Sequence, residues 1–239
     1  MLKLIKTEDG SHTLHSEQFG VTYHSIYGAM QETQTVFLDA GLYHKGQQNP
    51  KLSILEIGFG TGLNAFMTYL NAKEKGYNIA YTGIEAYPVE GELVRQLNYP
   101  EILNAEGEEA VFYKMHEKRN EWIQLNETFK FIQEVTTFQE LEKNNLYDIV
   151  YYDAFAPNAQ PELWDQVILE KMYNALKPEG VLVTYCAKGS FKRALKALGF
   201  QVEALPGPKN KREMTRATKT LLSTEPTIST QEDSPLLEQ

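Results

Sequence analysis

Between Lys51 and Lys75 the chain passes from a short apolar run, through a glycine-rich turn, into a helically spaced segment. That passage constrains the fold more than any other. Lys51-Leu52-Ser53-Ile54-Leu55-Glu56 has strand character, and Gly58-Phe59-Gly60-Thr61-Gly62 follows it. Beyond the turn, Leu63, Phe66, Met67 and Leu70 fall on one helical face. Three glycines between a strand and a helix let the backbone turn sharply and lie flat against a ligand.

The rest of the chain repeats the alternation. Strands are expected over 79–84, 129–135, 147–152 and 181–185, and helices over 89–98, from Pro161 to about Leu176, and over 190–198. Residues 105–127 read as an inserted helical region, and Lys177-Pro178-Glu179-Gly180 as a break. Phe200–Leu205 and Glu213–Thr218 read as a closing hairpin around Pro206-Gly207-Pro208. Alternation of this kind implies an α/β protein, a parallel sheet with helices on both faces. Residues 20–38 read as an accessory segment, partly strand and partly helix. The Ser/Thr/Glu/Pro-rich stretch from Ser223 to Gln239 has too little apolar surface to fold and is expected to be disordered.

Two ligand classes use a glycine-rich strand–helix turn. A dinucleotide needs a helix N-terminus and a free path for its pyrophosphate. S-adenosylmethionine has no phosphate and carries a sulfonium and an ammonium, so it tolerates a nearby carboxylate. Here Glu56 stands two residues before Gly58, and the glycine spacing is G-x-G-x-G rather than G-x-G-x-x-G. The turn therefore favours S-adenosylmethionine, with Glu56, Gly58, Phe59, Gly60, Thr61, Gly62 and Asn64 as its candidate contacts.

Ligands of open α/β sheets bind beyond the carboxyl ends of the strands. Glu85 ends the second strand of the alternation, where a carboxylate can accept both ribose hydroxyls. Glu134, near the third strand's end, is the candidate beside the adenine amine. The fourth strand ends Asp153-Ala154-Phe155-Ala156-Pro157, similar to the Asp/Asn-Pro-Pro-aromatic loop of amine methyltransferases. Such a loop aims a carboxylate at an amine. Read as an ordinary carboxylate, with a reference pKa near ~3.9, Asp153 orients the amine rather than acting as its base.

The whole chain carries a net charge of −9, yet nine bases face two acids between Cys186 and Lys219. A basic patch on an acidic body can hold a polyanion locally. The bland alternative is a solvated helix face and a basic loop. No apolar run reaches the roughly 18–20 residues of a membrane span, and the start carries no signal-peptide core. The single cysteine, Cys186, excludes an internal disulfide, fits a reducing cytosol and reads as a buried strand residue. His12 and His15 read as surface, and no metal-ligand spacing is present.

Several strings together resemble the tRNA 5-aminomethyl-2-thiouridine methyltransferases, over residues 18–217. They are Gln31-Glu32-Thr33 with Val36-Phe37-Leu38, Gly58 to Asn64, Asp153 to Pro157 with Pro161 and Trp164, Thr184 to Gly189, Arg193, Gly199-Phe200, and Lys211-Arg212-Glu213-Met214. The resemblance implies a class I S-adenosylmethionine-dependent methyltransferase, a Rossmann-like, mostly parallel seven-stranded sheet with helices on both faces. Residues 1–50 would form an accessory segment packed on a catalytic domain of 51–219, with 220–239 as a tail. It further implies methylation of the aminomethyl group of 5-aminomethyl-(2-thio)uridine at the tRNA wobble position, in the cytoplasm and without a metal. Asp153 would be catalytic and Glu85 would hold the ribose. Phe155 and Pro157 would wall the uridine, and Lys188, Lys211 and Arg212 would contact phosphates of the anticodon arm. The resemblance is to one half of a bifunctional enzyme whose flavin-dependent oxidase half has no counterpart here. A stand-alone protein, monomeric by default, is therefore expected. The competing readings are a methyltransferase for a small amine or a protein side chain, a dinucleotide-dependent oxidoreductase, and an RNA-binding module without activity.

Overall fold

The computed structural model describes residues 1–220. The tail expected over 220–239 lies, but for Thr220, outside the described residues. The chain opens with β1 (Leu2–Lys6), β2 (His12–Ser16) and β3 (Val21–Thr22), which pair antiparallel as a small three-stranded sheet. The polar start is thus more ordered than its composition suggests. Leu14 and Thr13 are fully buried, and the His12 and Asn98 backbone and side chain are joined by a 2.8 Å hydrogen bond. A continuous helical rod follows through Ala29–Thr33, a wider π-wound stretch Gln34–Tyr43, and His44–Gly46.

Eight further strands form the main sheet: β4 (Lys51–Ile57), β5 (Asn78–Ile84), β6 (Ile123–Asn126), β7 (Phe129–Glu134), β8 (Tyr147–Tyr152), β9 (Leu176–Thr184), β10 (Phe200–Pro206) and β11 (Glu213–Lys219). Their order is β10-β11-β9-β8-β4-β5-β7-β6. The five central strands, from β9 to β7, run parallel. The hairpin of β10 and β11 closes one edge antiparallel, and β6 closes the other. The sheet is therefore mostly parallel with eight strands, one more than the seven expected. The extra strand is β6, cut from the region read as helical, which keeps a 3₁₀ turn over Glu106–Glu108 and an α-helix over Glu109–Glu117.

Alternation along the strands divides the core in two. Ile54, Tyr81, Phe131, Ile149, Tyr151, Val181 and Val183 face one way, against Phe37, Phe66 and Phe112. Leu55, Ile57, Val150, Tyr152 and Leu182 face the other, against Leu169, Met172, Phe191 and Leu195. Helices therefore cover both faces, as a sheet buried on both sides requires. On the first face lie the Leu63–Lys75 helix, the Gln34–Tyr43 stretch and the Glu109–Glu117 helix, and on the second the Gln166–Ala175 and Gly189–Ala197 helices.

Three boundaries differ from expectation for local reasons. The helix expected from Pro161 is a 3₁₀ turn, Pro161–Trp164, separated from Gln166–Ala175 by an extended Asp165 with ψ 155°. Trp164 Nε1 donates to the Phe155 carbonyl at 2.7 Å and Tyr152 Oη donates to the Leu163 carbonyl, so tertiary bonds hold the turn apart from the helix. The segment 89–98 keeps only one turn of helix, Gly91–Val94. Lys177 to Gly180, read as a break, is a distortion within β9, with Glu179 at φ 63° and a register shift opposite Tyr147 and Ile149.

Phe66 is fully buried, its ring 5.2 Å from that of Phe112. Phe66→Ala is expected to cost about 3–5 kcal/mol in denaturant unfolding, because the aromatic contacts vanish and a cavity remains.

Candidate active site

The strand order reverses at β4, whose neighbours β8 and β5 lie on opposite sides of it. The turns after these three strands meet at one sheet end, the usual ligand crevice of an open α/β sheet. A cavity of about 840 Å³ opens there. Its walls include Gly58, Phe59, Gly60 and Thr61 after β4, Glu85 and Tyr87 after β5, Phe138 and Gln139 after β7, and Asp153 and Phe155 after β8.

Two glycines let the first turn lie against its neighbours. Gly58 has φ +88°, and a Cβ there would stand 2.7 Å from the Asp153 carbonyl oxygen. Gly60 has φ +52°, and a Cβ would meet the Tyr23 ring at 2.8 Å. Left-handed backbone and close approach together demand glycine at both positions. The turn is pinned from β5, since the amides of Gly58 and Phe59 both donate to the Ile84 carbonyl, at 3.1 and 3.0 Å. Glu85 clasps it too, accepting the Gly60 amide on Oε2 and the Tyr87 amide on Oε1, each at 2.9 Å. Burial raises the Glu85 carboxyl above its usual range, and these backbone bonds oppose the shift.

Under the crevice lies a carboxylate network. Asn64, in the first turn of the Leu63–Lys75 helix, donates from Nδ2 to Glu56 Oε1 at 2.9 Å and to Asp153 Oδ2 at 2.8 Å. Its Oδ1 accepts Thr33 Oγ1 at 2.7 Å. Glu56 is fully buried and takes a second bond from Tyr81 Oη at 2.9 Å. Burial pushes its carboxyl up to about 8, against the pull of the Asn64 and Tyr81 bonds. Asp153 is also held well above the ordinary carboxylate range, by burial first and then by the charges of Glu32 and Glu56. The reading of Asp153 as an ordinary carboxylate is thereby corrected. An isolated strand-end acid keeps its reference value, whereas this one faces other carboxylates in an enclosed site.

The sequence-derived residues divide on this geometry. Gly58, Phe59, Gly60, Thr61, Glu85, Asp153 and Phe155 come together around the cavity. Glu56, Gly62, Asn64 and Pro157 are outside its lining, Glu56 and Asn64 standing behind Asp153. Glu134 does not join the site. It pairs with Lys143 at 2.8 Å and borders a smaller hollow with Asn120 and Glu140. Lys188 is exposed and reaches Asn158 Oδ1 at 3.1 Å, and Arg212 is exposed. Lys211 turns inward to Glu32 at 2.6 Å, because the loop between β10 and β11 leans on the N-terminal rod rather than into solvent. Cys186 is buried, as read, but it stands two residues past the end of β9 rather than within a strand.

Sequence reasoning missed the roof. Phe19 and Tyr23 enter the cavity wall from the N-terminal segment and flank the Phe155 ring at 5.3 and 5.0 Å. Burial, assisted by the Glu85 charge, pushes the Tyr23 hydroxyl up to about 12. Two aromatics close together near the start of the chain were the available signal.

Residues 102–220 match the model of a family described as S-adenosyl-L-methionine-dependent methyltransferase. The chain is 29% identical, over 83% of its length, to the tRNA 5-methylaminomethyl-2-thiouridine biosynthesis bifunctional protein MnmC of Leptospira interrogans, covering 32% of that protein. The corresponding protein of Aromatoleum aromaticum is also 29% identical, over 90% of this chain and 35% of its own. The chain thus spans about a third of the length of these curated relatives. The crystal structure of MNMC2 from Aquifex aeolicus superposes with a TM-score of 0.72 at 25% identity, covering 91% of this chain and 70% of that one. A spermidine synthase, at 14% identity and TM-score 0.52, shares the fold.

The Glu56 site yields a stability prediction. A carboxyl raised from 4.5 to about 8 binds more protons in the folded state, so its contribution to stability is complete at low pH and is lost as pH rises through about 8. In Glu56→Gln the amide oxygen still accepts from Asn64, and Nε2 can donate to Tyr81 Oη. Thermal melts at about pH 5 and pH 9 should show a smaller loss of stability for the variant than for the native protein. With the family model over residues 102–220, the strand-end crevice and the glycine turn in agreement, the chain has the class I, Rossmann-like fold of S-adenosyl-L-methionine-dependent methyltransferases.

Proposed function

We propose that this protein methylates the aminomethyl group of 5-aminomethyl-(2-thio)uridine at the wobble position of tRNA, in the cytoplasm. The observation that carries the reading is Asp153, a partly open carboxylate of raised proton affinity at the switch-point rim, beside an aromatic that can wall a base. Similarity to tRNA-modifying relatives over most of this chain supports the choice of substrate.

The residues fit the cofactor. The Gly58–Thr61 turn leaves its backbone against the cavity, and Glu85 offers its carboxylate where a ribose diol would lie. Bound S-adenosylmethionine supplies a methyl group on a sulfonium, which the surrounding carboxylates complement. Asp153 accepts a hydrogen bond from the acceptor amine and holds its nitrogen toward the methyl. Positioning of this kind removes about 7–11 kcal/mol of barrier. The amine must be neutral to attack, and a carboxylate of raised proton affinity is suited to take its proton. Phe19, Tyr23 and Phe155 form an aromatic wall beside the reacting centre.

Among the described residues, Lys192, Lys209, Lys211 and Arg216 are committed to ion pairs with Glu213, Glu8, Glu32 and Glu203. Lys188, Arg193, Lys196 and Arg212 are exposed and outside the ion pairs. These four are the residues proposed to meet the phosphates of the anticodon arm. A free small amine as substrate would leave this surface without a task.

Labelled-methyl transfer to tRNA bearing 5-aminomethyluridine, followed by nucleoside analysis, tests the assignment directly. Absence of 5-methylaminomethyluridine would overturn it. Asp153→Ala should lower turnover about a hundredfold or more with cofactor affinity little changed. Reversing Arg193, Lys196 and Arg212 to Glu should weaken tRNA binding and flatten its salt dependence by about one unit of slope per lost contact.

A further inference from the structure

One polar cluster behind Asp153 has no task in the mechanism above. The Glu32 side chain is only 6% exposed. It accepts the Ser25 amide on Oε2 at 2.8 Å and Lys211 Nζ on Oε1 at 2.6 Å. Lys211 arrives from the loop between β10 and β11, with its Nζ 4.1 Å over the Tyr185 ring. Tyr185 Oη donates to the Ala154 carbonyl at 2.8 Å. Next to Glu32 in the chain, Thr33 holds the Asn64 amide, and that amide holds Asp153. Two short chains of contacts, one on each side, thus run from the Glu32–Lys211 pair to the Asp153–Ala154 turn.

Building on the amine-methylating reading, we propose that Glu32, clamped by Lys211, is a positioning residue that makes Asp153 the proton acceptor for the substrate's ammonium. In that step an N–H bond of the ammonium breaks, an O–H bond forms on the Asp153 carboxylate, and the nitrogen keeps the electron pair. The neutral amine then carries the nucleophilic lone pair, and the proton leaves Asp153 for water. The physical reason is repulsion between carboxylates in an enclosed site, where two neighbouring acids do not both ionise freely. A lysine bonded to one of them fixes negative charge there and leaves the other to bind the proton. The charged groups that face Asp153 are Glu32, Glu56 and Lys211, and Tyr81 and Tyr185 are its other titratable neighbours. Of the charges, Glu32 acts most strongly, Glu56 adds to it and Lys211 opposes it. Lys211 therefore serves the reacting end of the site, whereas its sequence reading assigned it to a phosphate.

The test uses the full chain labelled with ¹³C at aspartate carboxyls. The signal that Asp153→Asn removes identifies Asp153. It is expected to titrate above the ordinary carboxylate range in the native protein and to move down toward that range in Glu32→Gln. Turnover of Glu32→Gln should fall about tenfold at neutral pH, with the acidic limb of its pH profile displaced to lower pH. Lys211→Arg should preserve turnover, and Lys211→Met should lose it with tRNA affinity unchanged. An Asp153 signal that stays in place in Glu32→Gln would overturn the proposal. So would a Lys211→Met variant that keeps its turnover and loses tRNA affinity, since that result returns Lys211 to the phosphates. The titration needs no substrate. Failure of the native protein to methylate aminomethyl tRNA would thus discard the assigned reaction while the carboxyl signal still decides the coupling.

Discussion

The side-chain amide of Asn64 is the interaction on which the site depends. Its two N–H groups go to two different carboxylates, Glu56 and Asp153, and its oxygen takes the Thr33 hydroxyl. Three parts of the chain, far apart in sequence, are thereby fixed at one point. An amide suits this place because it donates twice and accepts once with no charge of its own. An aspartate there would add another negative group to a crowded set, and an apolar residue would leave the buried oxygens unpaired, at a cost of about 1–3 kcal/mol each. The glycine turn earns its sharpness here too, because it starts the helix where the Asn64 side chain reaches β4 and β8 together.

The sheet explains why the acids gather. β4 lies between β5 and β8, so the turns after these strands leave the same end of the sheet side by side. Glu56 faces inward near the end of β4, Glu85 follows β5, and Asp153 follows β8. The N-terminal segment completes the enclosure, its aromatics flanking Phe155 and its Glu32 lying behind Asp153. Enclosure strengthens every charge interaction within, which is how acids with ordinary reference values acquire raised proton affinities.

What the sequence made legible follows the range of the forces involved. The β4 turn, the strand-end acids Glu85 and Asp153, the parallel core and the closing hairpin were readable because each depends on neighbours a few residues away. Glycine supplies the left-handed turn at Gly58, and period-two burial separates Ile54 from Leu55. The roof of Phe19 and Tyr23, the turn at Pro161–Trp164 and the role of Glu32 were not readable, because distant partners decide each of them. Trp164 breaks its helix to reach Phe155, and Lys211 leaves the surface because Glu32 lies within its reach. Glu134 carries the converse lesson. Its place at the end of β7 suggested a ligand contact, but the actual partner is Lys143, nine residues on.

Charge shows the same division on a larger scale. A count along the chain gives nine bases between Cys186 and Lys219, and the folded protein binds four of them to acids. Two of those pairs, Lys209 with Glu8 and Lys211 with Glu32, join the β10–β11 loop to the N-terminal segment. The loop therefore touches the N-terminal segment on one side and presents the exposed Arg212 on the other. An exposed pair such as Lys209 with Glu8 contributes little to stability in water, since solvent screens it. Lys211 differs because its partner is nearly buried, so removing the lysine would leave an uncompensated acid beside Asp153. The basic segment thus has two physical parts, an outer surface of exposed bases suited to a polyanion and a set of paired bases, among which Lys211 alone has a nearly buried acid as its partner.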